Sequence, residues 1–363
     1  MPASRHLPRN GADADAGGYG VRIAQVAPPW LAVPPTGYGG LEWVVSLLAD
    51  GLVDRGHEVT LFATGDSKTR ARLEFVFEQA PGPRFIDSVW HDTMQTLYAF
   101  GDVSTFDLLH VHMTWSSLAA GAVCGRPVVL TLHGELSPEM REMLGLVSDR
   151  LWFVAISERQ RATMPELRYA GVVHNGIDID AYPLREEKED FVLFLGRSAP
   201  EKGPVRAVQA AAAAGVELKA AVKIASPSEV EHWEHEVKPR LLPGTEVFGE
   251  ISHEQKIDLL GRARAVLFPI DWNEPFGLVM VEAMACGTPV IATPRGSVPE
   301  VVADNETGFV VPVEDYARTA AAALERIEDI DPAACRARVE KLFSKEAMVA
   351  GYESVFHGIL DGR

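Results

Sequence analysis

At 363 residues the chain is too long for one ordinary hydrophobic core and suits two domains. Its 47% hydrophobic and 23% charged residues are the balance of a folded protein in water. A formal net charge of -17, with Lys and Arg dispersed, argues against a nucleic-acid partner and against stable docking on anionic lipid, and no apolar run reaches the roughly 20 residues that cross a bilayer.

In chain order, residues 1–20 are rich in Pro, Gly and Asp and lack the apolar stretch of a secretory signal. They read as a disordered leader, and the chain as cytoplasmic. Cys124, Cys286 and Cys335 have no metal-type spacing and read as small hydrophobes in a reducing compartment. From residue 21 strands and helices alternate. VRIAQVAP (21–28), HEVTLFA (57–63), LLHVH (108–112), PVVLTLH (127–133) and WFVAIS (152–157) are short apolar strands, as in a parallel sheet covered on both faces. LEWVVSLLADGLVDRG (41–56) is the first helix, behind the glycine-rich turn TGYGG, and GVVHNG (171–176) closes this half. The charged, unpatterned run 184–190 reads as the linker.

The alternation then restarts with FVLFLGR (191–197), an Ala-rich helix at 203–215, and strands LKAAVKIA (218–225), TEVFGE (245–250), AVLFPI (265–270) and PVIAT (289–293). Residues 314–360 read as two or three helices. The expected fold is α/β, with two doubly wound Rossmann-like domains facing each other: 21–185, 186–345, and a last helix at 346–363 crossing back to the first. Ligands of such sheets bind beyond the carboxyl ends of the strands, which makes the cleft the expected site.

The stretch NEPFGLVMVEAMACG (273–287) carries the strongest chemical signal. Pro275 suits a first helical position, so the N–H groups of Phe276, Gly277, Leu278 and Val279 would form the unpaired first turn, which favours a phosphate. Gly277 permits close approach of a ligand to the backbone. Glu282, about 8 Å further along the helix, suits the hydroxyls of an attached ribose. Glu274, on the other side of the phosphates, would face the group beyond them. The spacing suggests a ligand of the form nucleoside–diphosphate–X. Read alone, Glu274 is equally an ordinary loop acid, and Glu282 the partner of a base. GRSAPEKG (196–203) adds Arg197 and Lys202 beyond a strand end, where two cations can neutralise a diphosphate. Gly39 and Gly40 end a loop able to cradle phosphate, and His133 places an imidazole at the cleft edge. Taken singly, each is as readily a solvated turn, a common βα turn or a structural histidine.

In this order the set resembles the retaining, nucleotide-sugar-dependent glycosyltransferases of family 4, which have the GT-B fold. The resemblance covers residues 21–360 and rests on the E-x7-E pair Glu274 and Glu282, on GRSAPEKG, Gly39 and Gly40, TLHGE around His133, AISERQR (155–161) and SVPEVV (297–302). It implies that Arg197 and Lys202 hold the donor diphosphate and that the backbone at Phe276, Gly277, Leu278 and Val279 binds phosphate and sugar. Glu282 would hold the ribose, Glu274 would orient the transferred sugar, and His133 would lie near the reacting centre. Gly39 and Gly40 would approach from the other domain, and Ile251 would meet the nucleobase. It also implies no metal and no resident cofactor, with the nucleoside-diphosphate sugar as co-substrate. Three departures stand out: KIASPSE (223–229) where members often carry a glycine-rich segment, His174 before Asn175, and Gly296 followed by Ser297.

Among other residues, Trp30, Trp43, Trp90, Trp115 and Trp272 read as packing, with Trp30 and Trp115 in loops where an acceptor would lie. His110 and His112 share one side of a strand without an apparent third metal ligand. Glu42 either caps the first helix or reaches the cleft. The expectation is a metal-independent glycosyltransferase, with UDP the preferred nucleotide and a soluble natural product, as in antibiotic biosynthesis, the preferred acceptor. Acceptor identity, sugar, nucleobase and oligomeric state stay open. Fold alone also accommodates a nucleotide-sugar epimerase, a phosphorylase or a non-catalytic nucleotide-sugar-binding protein.

Overall fold

The computed structural model describes residues 20–37, 39–112 and 115–362. The leader at 1–19, and Tyr38 within the glycine loop, lie outside the described residues.

Two parallel sheets form the frame. The first holds β1 (Arg22–Val26), β2 (Glu58–Ala63), β3 (Arg72–Phe75), β4 (Leu108–Val111), β5 (Val128–Leu132), β6 (Trp152–Ala155) and β7 (Tyr169–Val172), in the order β3-β2-β1-β4-β5-β6-β7. The second holds β8 (Phe191–Arg197), β9 (Glu217–Lys223), β10 (Glu246–Phe248), β11 (Ala265–Phe268), β12 (Val290–Ala292) and β13 (Gly308–Val310), in the order β10-β9-β8-β11-β12-β13. The central strands β4, β5, β11 and β12 are buried at every position, which explains their continuous apolar runs. Two strands escape the sequence reading. β3 is a charged edge strand with no fully buried residue, and β13 is only three residues long.

Strand order reverses direction between β1 and β4 in one sheet and between β8 and β11 in the other. A crevice opens at each such switch point, outside the carboxyl ends of the strands. The turns leaving β1, β8 and β11 carry the glycine loop, the Arg197–Lys202 segment and the Glu274 loop. The topology therefore brings three stretches that are distant in sequence to one place.

The chain passes between the sheets twice. On the outward pass Ile177 N–H donates to Phe343 O at 2.9 Å, and on the return Lys345 N–H donates to Ile177 O at 2.9 Å, so the two passes pair. Residues 184–190 are pinned to the second sheet's unit. Arg185 N–H bonds Cys286 O, and Lys188 Nζ donates to Gly261 O, Cys286 O and Thr288 Oγ1. The crossing therefore precedes this run. Burial of that ammonium lowers the Lys188 pKa to about 8.

The helix Lys345–Leu360 lies on the first sheet's unit, where Met348, Val349, Tyr352, Val355, Phe356 and Ile359 join the core with Val44, Leu48 and Val129. Tyr352 Oη lies 3.0 Å from Thr131 Oγ1 of β5. A methyl group at Gly51 would come within 2.5 Å of Val349 Cγ2, so this glycine sets how closely the first helix, Gly40–Asp54, meets the last. A further tie between the units is Glu300, whose carboxylate accepts from Glu158 N–H at 2.8 Å, Arg159 N–H at 2.7 Å and His174 at 3.3 Å. Burial opposes its charge, but the His174 and backbone bonds hold its pKa below the ordinary value. No helix among the described residues is long and apolar enough to cross a membrane.

Candidate active site between the two sheets

A cavity of about 670 Å³ lies where the two switch points face each other. Gly39, Gly40, Arg197, Lys202, Ile251, Glu274, Gly277, Leu278, Val279 and Glu282 all line it. Phe276 and His133 do not.

The helix expected to begin at Pro275 begins at Leu278 instead, because Gly277 takes a left-handed backbone (φ 79°) as its N-cap and holds the preceding residues out of the helix. Phe276 is turned into the core, its ring 5.7 Å from Phe343, and its main-chain oxygen accepts from Ser297 Oγ at 2.7 Å. The loop is propped from below. Ser297 N–H donates to Glu274 O at 2.9 Å, and at Gly296 (φ 54°) an added methyl would fall 2.2 Å from that same oxygen. The Gly296-Ser297 pair, a departure at the sequence level, thus holds Glu274 in place.

The Glu274 carboxylate accepts from Lys202 Nζ at 2.7 Å, and the same ammonium sits 4.2 Å from the centre of the Trp272 ring. Lys202 rides on a short turn whose Gly203 (φ 74°) is pressed against Pro269 O, with room for no side chain. Arg197 pairs with Glu201 at 3.3 Å and with Glu229 at 2.9 Å. Glu229 is buried, accepts from Ala225 N–H at 2.6 Å and stands behind the arginine. Sequence reasoning passed over Glu229, although Ser226 with Glu229 three residues on is a capping-box signal.

Glu282 is paired with a base, the alternative reading of this residue, and also with a tyrosine that the sequence reading missed. Tyr182 Oη donates to Oε1 at 2.9 Å, and Lys256 Nζ donates to the same oxygen. All three side chains line the cavity. Burial, and after it the adjacent carboxylate, raises the Tyr182 pKa far above that of a free phenol.

The opposite wall comes from the first helix. A methyl at Gly40 would lie 3.0 Å from Leu278 Cδ1, so the glycine loop abuts the helix start across the cleft. Trp43 stacks on His253 with centroids 5.0 Å apart and planes 23° apart, closing one side. Glu42 is 5% exposed and is not among the residues that line the cavity. Its carboxylate lies close to Gly39, which lines the cavity, and accepts from its own N–H, one of the first-turn donors of the helix. Burial pushes its pKa up to about 7, against the opposing pulls of that N–H and of Lys223.

His133, at the end of β5, keeps part of its surface exposed, and its Nε2 lies 3.0 Å from His112 Nδ1. His112 Nε2 in turn lies 3.0 Å from Gln25 Nε2. Burial lowers the His133 pKa to about 4, so the ring is neutral at pH 7 and can orient or accept but carries no charge. Among the described residues, no group of three or more His, Cys, Asp or Glu is placed to hold a metal ion.

Two family models divide the chain between them. The model for glycosyltransferase family 4 matches residues 38–181, and that for glycosyl transferases group 1 matches residues 178–341. A phosphatidyl-myo-inositol mannosyltransferase from Mycolicibacterium smegmatis is 30% identical over 359 aligned residues, covering 85% of each chain. The chain belongs to the family 4 glycosyltransferases. Among solved structures, a glycosyltransferase involved in avilamycin A biosynthesis superposes with a TM-score of 0.72 at 26% identity, covering 94% of this chain and 99% of that one. Anabaena HepE, solved in complex with UDP and glucose, shares the fold at 20% identity and a TM-score of 0.70, with 92% and 98% covered. The expected two-domain GT-B architecture is therefore the one this glycosyltransferase has. The junction of the two models, near residues 178–181, falls just after the first crossing between the sheets.

Proposed function

We propose that this glycosyltransferase moves a sugar, with retention of anomeric configuration, from a nucleoside-diphosphate sugar to a hydroxyl of a small acceptor. The observation that carries the reading is the grouping in one cavity of a buried carboxylate (Glu282), a helix start (Leu278 and Val279) and the Lys202–Glu274 ion pair. These match in order the ribose, the diphosphate and the sugar of the donor. Glu274 is paired with Lys202 at 2.7 Å. An incoming diphosphate would draw the ammonium to itself and free Glu274 for the sugar hydroxyls. Lys202, Arg197 and the helix start would then stabilise the departing diphosphate, so that no metal is required. The acceptor oxygen bonds to the anomeric carbon as the bond to the diphosphate breaks, and the acceptor's proton passes to the leaving phosphate oxygen. His133, neutral and on the first sheet, would orient groups at the acceptor side.

UDP is the preferred nucleotide, a choice supported by HepE, which was solved with UDP-glucose. A natural-product acceptor is supported by the avilamycin-pathway relative. The test is a thermal-shift panel of UDP-, GDP-, ADP- and dTDP-sugars. A true donor at 100 times its dissociation constant adds about 2.7 kcal/mol of stability. Anomeric analysis of the product then reads retention or inversion. A panel with no stabilising sugar nucleotide would refute the donor reading.

A further inference from the structure

Glu282 is held by two side chains that converge on a single oxygen. A carboxylate oxygen offers two lone-pair positions. At Oε1 both are taken, one by Tyr182 Oη and one by Lys256 Nζ. Neither donor is free to drift. The Tyr182 ring stands edge-on to His253 with centroids 5.7 Å apart, and the main-chain oxygen of Tyr182 accepts from Arg336. Lys256 projects from the helix His253–Arg262, whose start is locked by the reciprocal Ser252–Gln255 capping box. The carboxylate is buried, at 6% exposure, yet reaches the cavity.

We propose that Tyr182 and Lys256 are positioning residues which saturate Oε1 of Glu282, fix the rotation of its carboxylate and leave Oε2 to accept from the ribose hydroxyls. The pair thereby sets the enzyme's preference for a ribonucleotide over its deoxy counterpart. This rests on the donor reading given above. Losing Tyr182's hydroxyl frees the carboxylate to turn Oε1 toward the cavity or away from it. Losing Lys256 removes the charge that makes burial of Glu282 tolerable.

The experiment compares dissociation constants for UDP and dUDP, for GDP and dGDP, and for ADP and dADP, in wild type, Tyr182→Phe, Lys256→Met, Glu282→Gln and the double variant Lys256→Met/Glu282→Gln. Thermal unfolding of each variant reports its fold. Wild type should bind one ribonucleotide more tightly than its deoxy form. Tyr182→Phe and Lys256→Met should each shrink that ratio by about tenfold, the size expected for a hydrogen bond to a charged group, with a smaller loss for the deoxynucleotide, which keeps its 3′-hydroxyl. In the Glu282→Gln background the Lys256 substitution should have no further effect. Equal loss for ribo- and deoxynucleotides would mean that Lys256 touches the nucleotide directly or only supports the fold, and would overturn the proposal. So would an unchanged ratio in both single variants. Wild type that discriminates while both variants do so equally well refutes the positioning role but keeps the donor reading. Wild type that binds none of the six refutes both.

Discussion

Glu42 lends itself to a quantitative test because it is buried and titrates close to working pH. Its ordinary pKa of 4.5 rises to about 7 in the folded chain, chiefly through desolvation. A carboxyl group shifted this way favours the folded state most when protonated. Its contribution is complete below pH 4.5, falls as pH rises and levels off above about 7. At about 1.36 kcal/mol per pH unit, the interval from 4.5 to about 7 amounts to about 3 kcal/mol. Glu42→Gln keeps the shape and an acceptor for the residue's own N–H but carries no charge to desolvate. Urea unfolding of both proteins should therefore show a gap that widens with pH. The glutamine variant should lead by under about 1 kcal/mol at pH 5 and by about 3 kcal/mol at pH 8. A gap that is constant with pH, or wild type more stable at pH 8, would refute the burial argument.

Further expectations concern the cleft and its supports. Lys202→Met should lower turnover by about a hundredfold by removing a charge from the leaving diphosphate, measured as kcat with a saturating donor. Gly296→Ala forces a methyl against Glu274 O in a left-handed backbone and should cost about 1–3 kcal/mol of stability, with loss of donor binding read by calorimetry. Glu300→Ala strips two N–H groups and His174 of their partner and should cost about 1–3 kcal/mol at pH 7. The Glu300 pKa is depressed on folding, so its contribution is present above pH 4.5 and disappears as pH falls through the folded value; the gap to wild type should close in acid unfolding curves.

Much of this arrangement was legible in the sequence because it follows from period and punctuation. Apolar runs marked the buried strands, and their spacing with helices implied two parallel sheets and hence two switch points facing a cleft. Residues at strand ends, such as Arg197 and Glu274, were placed by that logic. The partners of those residues were not legible. Tyr182 and Lys256 lie 100 and 26 positions from Glu282, and Glu229 reaches Arg197 from a helix after the next strand. Nothing in local pattern connects such pairs; only the packed fold does. The helix start at Leu278 was misplaced because Pro275 is a strong local signal, while the left-handed turn at Gly277 depends on Ser297 and Gly296 below it. The charged run 184–190 looked like a free linker because its anchors on Gly261, Cys286 and Thr288 are main-chain and hydroxyl oxygens that charge patterning does not reveal.

The return of the helix Lys345–Leu360 to the first sheet has a consequence for how the chain matures. During synthesis the first sheet emerges from the ribosome long before the residues that cover it. Until then the surface that will receive Tyr352 and Phe356 faces water. Completion of the second half delivers the missing cover, so the first lobe reaches its final form only once the chain's end is made.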